Sequence, residues 1–357
     1  GTSFAFTGTM AYGAAQLPPE TSQDELLGIL LGTAAVGGGL VIALSFFLKS
    51  VAKVITPTVT GVTIFLLGLS LLWSALNNSW RVFANASVGD TPYLAMEWLL
   101  TLITIAALAT RKNLYARLVS VPAGLFGGML LAAVLRDWAP LPTPTADPLF
   151  FLEVLPVSLD FSFLVLLILL PIFLVSFTET IGDITATSLV SGQPVEGKTY
   201  FSRLRGGVLG DGFNTVLASM FGAFPNTTFS QNNAVIRLTG IASRQVGYVL
   251  ALLLIVLGSI PWVSSLIVTI PGSVLNAVTA FLFSMIAYTG FNMVRDRAQR
   301  RGLLVLTIAC VGSLLLLGVP ALLASLDMTI PPYAAILLGF PVASGALLAI
   351  IADQSMA

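Results

Sequence analysis

Apolar runs about as long as a bilayer is thick recur along this chain, near residues 25–48, 54–76, 94–110, 116–135, 158–182, 245–267, 273–294, 302–325 and 332–352. About 20 residues of helix cross the hydrocarbon core. Lipid offers no partner to backbone N–H and C=O groups, so such spans fold as helices. The sequence therefore predicts an all-α polytopic membrane protein. Composition agrees: of 357 residues, 56% are hydrophobic and 9% charged, against roughly a quarter charged in a soluble domain.

The same composition excludes several classes of function. Sixteen basic and sixteen acidic residues cancel, which leaves no basic footprint for nucleic acid. Histidine is absent, and with it the commonest metal ligand and general base. The single cysteine, Cys310, lies in an apolar run, so neither a disulfide framework nor a thiolate metal site is expected. No nucleophile–base pair can be assembled, and an enzyme is not expected. The opening Gly1-Thr2-Ser3-Phe4 is neither an initiator methionine nor the basic start of a signal peptide. The chain is expected to be a fragment that lacks its natural N-terminus.

Three shorter or more polar segments, at 3–16, 206–223 and 226–241, are rich in Gly, Ser, Thr, Asn or Pro. Irregular backbone at membrane depth survives only inside protein or beside a water-filled cavity, so all three are expected to line a site. Thirteen of the sixteen basic residues fall on one side of the predicted spans, including Lys49, Arg111, Lys112, Arg203, Arg244 and Arg301. By the positive-inside rule that side is cytoplasmic. A weak internal repeat accompanies the spans. Val62-Thr63-Ile64-Phe65-Leu66 returns as Val278-Thr279-Ala280-Phe281-Leu282, and Thr2–Phe6 has a polar-aromatic counterpart in Phe229–Asn233. Two copies of one helical unit with an odd number of spans are inverted, an arrangement common in secondary transporters.

The residues that carry chemistry stand out against this apolar ground. Glu179 lies inside Phe177-Thr178-Glu179-Thr180-Ile181-Gly182-Asp183, and Asp183, four residues on, shares its helix face. Intramembrane acids are costly and are read by default as functional; a carboxylate that can exchange its charge for a proton suits proton-coupled transport. Asp211 is a third acid near membrane depth, divided between a structural hydrogen bond and proton coupling. Its neighbours Gly207, Gly210 and Gly212 are read as helix-packing residues. Pro225-Asn226-Thr227-Thr228-Phe229-Ser230-Gln231-Asn232-Asn233 is the most specific stretch. Extended and then helical, it aims a helix N-terminus into the cavity, and Gln231 both donates and accepts, as the edge of a heterocyclic base requires. Asn232 and Asn233 can instead tie helices together, and Phe4 can stack on a planar ligand or simply pack.

These motifs together resemble the nucleobase–ascorbate transporters, the nucleobase:cation symporter 2 family. The family signature, Gln/Glu-Asn-x-Gly followed after four residues by Thr, is matched by Gln231-Asn232-Asn233-Ala234 and Thr239, with Ala234 in place of glycine. Glu179–Asp183, the Pro225–Thr228 lead-in and the opening Gly1–Phe6 match as well. The resemblance implies fourteen segments in two inverted repeats of seven, about twelve of them present here. It places a core domain in 1–50 and 151–268 and a gate domain in 51–150 and 269–357. It further implies that Glu179 and Gln231 hydrogen-bond the base, that Phe4 stacks on it, and that the Phe4 and Ser230 backbone amides assist. Asn232 supports the tenth segment, with Asp183 and Asp211 serving coupling and helix positioning.

Glutamine followed by asparagine is the pattern of xanthine- and urate-type members. The expectation is a proton-coupled symporter for an oxidised purine, homodimeric through its gate, in a cell membrane of bacterial inner-membrane type, with no cofactor beyond the coupling ion. A pyrimidine permease of the same family, or an anion exchanger or channel sharing the fold, are the alternatives.

Overall fold

A computed structural model of the chain describes residues 2, 4–48, 56–136, 155, 157–229, 236, 240–325, 334, 338 and 340–356. Its helices are α1 (Phe4–Ala14), α2 (Gln23–Leu44, ending in a 3₁₀ turn at Ser45–Phe47), α3 (Pro57–Ala84), α4 (Thr91–Ala109), α5 (Leu114–Arg136) and α6 (Phe163–Val190). They continue with α7 (Gly197–Met220), α8 (Arg244–Gly258), α9 (Pro261–Val268), α10 (Gly272–Ser325) and α11 (Pro341–Ser355). Local sequence sets several boundaries. Proline opens α3, α9 and α11, where its missing N–H would have had no helical partner. Ser22 caps α2 by accepting from the Glu25 N–H at 3.3 Å, with Asp24 and Glu25 in the first turn where the helix dipole favours acids.

Seven helical segments are long and apolar enough to cross a membrane, two of them within α10. Among the described residues the fold is all-α, with the spans of a multi-pass membrane protein. Three expectations from the sequence are modified, and a fourth falls partly outside the described residues. The run near 245–267 divides into α8 and α9 at Ser259–Ile260, ahead of Pro261. The segment 206–223 is not broken: up to Met220 it is part of the regular helix α7, in which Gly207 and Gly212 serve close packing and no proline interrupts the turns. The runs at 273–294 and 302–325 are joined, with helix continuing through Arg295–Arg301, a stretch of good helix formers without Gly or Pro. Of the run near 332–352, residues 332, 333, 335–337 and 339 lie outside those described.

By their internal contacts the residues fall into two compact units. The first comprises Gly1–Leu67, Leu152–Arg244 and Thr289–Ala357; the second comprises Gly68–Phe151 and Gln245–Tyr288. In the first unit α1, α2, α6 and α7 pack together around the fully buried side chains of Phe6, Met10, Leu31, Phe173 and Phe177. The Phe6 and Phe173 rings meet at 4.6 Å and 58°, within the range that aromatic pairs prefer. Where α2 crosses α7, a Cβ on Gly38 would lie 2.9 Å from Gly212 O, and one on Gly212 would lie 2.8 Å from Gly38 O. Only glycine allows the two backbones so close. A second cluster in this unit joins Val59, Val62 and Leu66 of α3 to Val294, Val305 and Ala309 of α10 and Ala349 and Ala352 of α11.

The second unit is built on the α4–α5 pair. Its outer side chains, among them Trp73, Trp80, Tyr115, Phe126 and Leu130, are large, apolar or amphipathic, and exposed, as a lipid-facing surface requires.

Candidate functional site

The candidate site begins on α6, whose character changes halfway along. From Phe163 to Val175 the helix is apolar, with Pro171 inside it; from Ser176 to Asp183 it presents Ser176, Thr178, Glu179, Thr180 and Asp183. The described part of the second interrupted segment lies against this polar half. Thr227 Oγ1 donates to Glu179 Oε2 at 3.3 Å and shares a hydrogen bond of 3.2 Å with Ser176 Oγ. The neighbouring Asn226 forms an isolated antiparallel bridge with Thr2, ahead of α1. The two polar interruptions therefore meet, and the place where they meet is held against Glu179.

The other two acids belong to the same neighbourhood. Asp211, on α7, accepts from Thr180 Oγ1 at 3.0 Å, and the Gly38–Gly212 crossing beside it fixes α7 against α2. Asp183 Oδ2 is buried beside Thr228, whose hydroxyl is also buried; neither closes a hydrogen bond of ordinary length among the described residues. Asp183 stands one turn beyond Glu179 on the same face of α6, and Asp211 is tied to Thr180, the residue after Glu179. Three carboxyl groups thus share one polar centre with no basic side chain hydrogen-bonded to any of them among the described residues. Such a group can hold a proton, or accept N–H donors from a ligand, and it disfavours an anion.

A cavity of about 220 Å³ runs beside α6 in the same unit, lined by Val59, Thr60 and Thr63 of α3, by Pro171 and Val175 of α6, and by residues of α11. Its lining is apolar apart from the two threonines. Thr60 also bonds Thr178, the residue before Glu179, at 3.0 Å, which links the cavity wall to the acid-bearing turn.

Of the residues named from the sequence, the structure brings together Glu179, Asp183 and Asp211. Ser230, Gln231, Asn232 and Asn233 lie outside the described residues, as does the side chain of Phe4, whose backbone opens α1. Gly207 packs as expected, since a Cβ there would strike Ile184; Gly210 does not, having open space around it.

Two participants in the site, and one buried ion pair away from it, escaped the sequence reading. Thr227 and Ser176 are ordinary hydroxyl residues whose roles depend on a fold-dependent contact, although Thr227 stands in the Pro225–Thr228 lead-in. The ion pair lies in the second unit. Glu97, fully buried, receives Arg136 Nε at 2.6 Å and Nη2 at 3.0 Å, and Ser273 Oγ donates to the same carboxylate.

The fold and this polar centre define a polytopic helical membrane protein built around paired interruptions and a cluster of acids. The chain belongs to the Permease family, Xan_ur_permease, whose model matches residues 1–324, and the resemblance to nucleobase–ascorbate transporters holds at the level of family. It is 35% identical over 308 residues to the xanthine permease XanQ of Escherichia coli strain K12, covering 84% of this chain and 65% of that protein. To the xanthine permease XanP of the same strain it is 36% identical over 316 residues, covering 87% and 68%. A purine permease of Emericella nidulans is 34% identical over 325 residues, covering 82% and 56%. The chain thus spans about 65% of the length of XanQ. Among solved structures, the transmembrane domain of the cyanobacterial bicarbonate transporter BicA matches with a TM-score of 0.54 at 16% identity, covering 98% of this chain and 82% of that one. That likeness establishes the fold, the inverted repeat of seven plus seven segments.

Proposed function

We propose that this chain carries the substrate site of a nucleobase permease that takes up an oxidised purine, xanthine or uric acid, together with protons. The observation that carries the reading is the hydrogen bond from Thr227 to Glu179 at the point where the two interrupted segments meet. A carboxylate held in that way faces a ring N–H with its remaining acceptor capacity. Two permeases of the same family that bear the name xanthine permease, at 35% and 36% identity, support the choice of substrate.

In this reading Glu179 and Gln231 bind opposite edges of the base and Phe4 stacks on it. The Phe4 and Ser230 amides assist, while Asn232 and Asn233 steady the second interrupted segment. Asp183 and Asp211 relay the proton and hold α6 against α7. Residues 1–50 and 151–268 form the moving core, and 51–150 and 269–357 the gate through which the protein dimerises. Alternating access follows from movement of the loaded core against the gate.

The test is uptake of labelled xanthine and urate by the full-length parent protein in cells lacking their own purine permeases. Saturable uptake that collapses with a protonophore is expected, and Glu179→Gln should lower it by about tenfold or more, the effect of losing a charge-assisted hydrogen bond. Normal uptake by that variant would remove Glu179 from the site. Competition by uracil but not by purines would assign a pyrimidine substrate instead.

A further inference from the structure

Past the acid cluster, where α6 ends and α7 begins, the first unit carries an open cavity of about 470 Å³. Its lining includes Thr187, Ser188, Ser191 and Gln193, together with two arginines, Arg203 and Arg244. No carboxylate lines it, and neither arginine makes an ion pair among the described residues. We propose that this cavity is a binding site for a phosphate group, separate from the nucleobase site.

Arg203 is already set for such a ligand. Its Nη1 donates to Ser188 Oγ at 2.9 Å and to the Pro194 carbonyl at 3.2 Å, and its Nη2 donates to Gln193 Oε1 at 3.3 Å. A guanidinium has five N–H donors, so these three bonds fix the plane of the group and leave donors for a ligand. Binding to a side chain already held in place forfeits less conformational entropy than binding to a free one. A phosphate presents several oxygens at once, which suits a planar fork on one side, a second guanidinium on another and hydroxyls between. Three uncharged hydroxyl residues and, among the described residues, no acid make the lining complementary to that anion.

The position gives the site a consequence. Arg244 opens α8 directly after the second interrupted segment, and Arg203 stands near the start of α7, the helix that carries Asp211. A phosphate held by both ties the exit of that segment to α7. Both arginines belong to the basic side of the sequence, the side that meets anionic headgroups and cytosolic phosphate alike.

The experiment follows thermal unfolding of the purified protein by tryptophan fluorescence. Inorganic phosphate is titrated against chloride at constant ionic strength, and in a second arm the protein is placed in phosphatidylcholine nanodiscs with and without phosphatidylglycerol. A saturable rise in melting temperature with phosphate marks free phosphate as the ligand; a rise seen only with phosphatidylglycerol marks a lipid headgroup. Either rise should need about tenfold more ligand, or vanish, in Arg244→Gln and Arg203→Gln, and should persist in Lys112→Gln, a basic residue elsewhere on the same side. Arg203→Gln also loses its three internal bonds, so Arg244→Gln, at an exposed position, decides the matter should the first variant misfold. No rise in either arm, a rise that chloride matches, or a rise unchanged in Arg244→Gln would overturn the proposal.

Discussion

Arg136 clasps Glu97 through two hydrogen bonds, Nε to Oε1 at 2.6 Å and Nη2 to Oε2 at 3.0 Å, joining the end of α5 to the second turn of α4. Removing one partner strands a buried charge, at a cost of about 3–5 kcal/mol. Arg136→Met should therefore lower the melting temperature of the purified protein substantially. The double variant Glu97→Leu/Arg136→Met should recover much of the loss, because it leaves no charge behind. A double variant less stable than both singles would contradict this account.

Thr227 presents its hydroxyl to Glu179 and Ser176. Thr227→Val keeps the shape and removes the donor, which under the proposed function should lower uptake of labelled xanthine by the full-length parent by roughly tenfold, as for the loss of one hydrogen bond to a charged group. Thr227→Ser keeps the donor and should stay within a few-fold of the parent. Equal uptake by the valine and serine variants would show that the hydroxyl does not orient Glu179.

The crossing of α2 and α7 predicts a contrast between two glycines on one helix. In Gly212→Ala the new methyl would lie 2.8 Å from Gly38 O and 2.9 Å from Ile42 Cγ1, and overpacking of this kind costs about 1–3 kcal/mol. Gly210→Ala meets nothing within 4 Å and gains up to about 1 kcal/mol in helix propensity. Melting temperatures of the two variants should move in opposite directions.

Asp353, near the end of α11, accepts from Thr56 Oγ1 at 2.6 Å and from Arg301 Nη2 at 3.0 Å. Asp353→Ala should cost about 1–2 kcal/mol, less than loss of the Glu97 pair, because Arg301 retains access to water. Proteolysis after Arg300 and Arg301 should accelerate in the variant.

The spans were legible because a bilayer imposes a length and a hydropathy on every helix, and the acids of α6 and α7 were legible because charge is rare at that depth. Glu179, Asp183 and Asp211 meet those criteria in one dimension. Glu97 and Arg136 do not. They stand 39 residues apart, on different helices and close to loops, so each looks like an ordinary boundary charge until the fold pairs them. The segment 206–223 misled for a related reason: its polar, glycine-rich composition signals an interrupted span, yet the packing role read for Gly212 is met inside a regular helix, where its small size lets α7 approach α2. Continuation of α10 through Arg295–Arg301 was hidden in the same way, since a cluster of arginines signals a loop by charge and a helix by propensity.

Thr2 and Asn226 are joined by a bridge of main-chain atoms. A strut of this kind is indifferent to the identity of the residues that form it. Mutation can therefore alter the groups that project from either interruption, and with them the choice of cargo, while the scaffold that presents those groups stays the same. Selectivity in such a protein can drift without a refolding event.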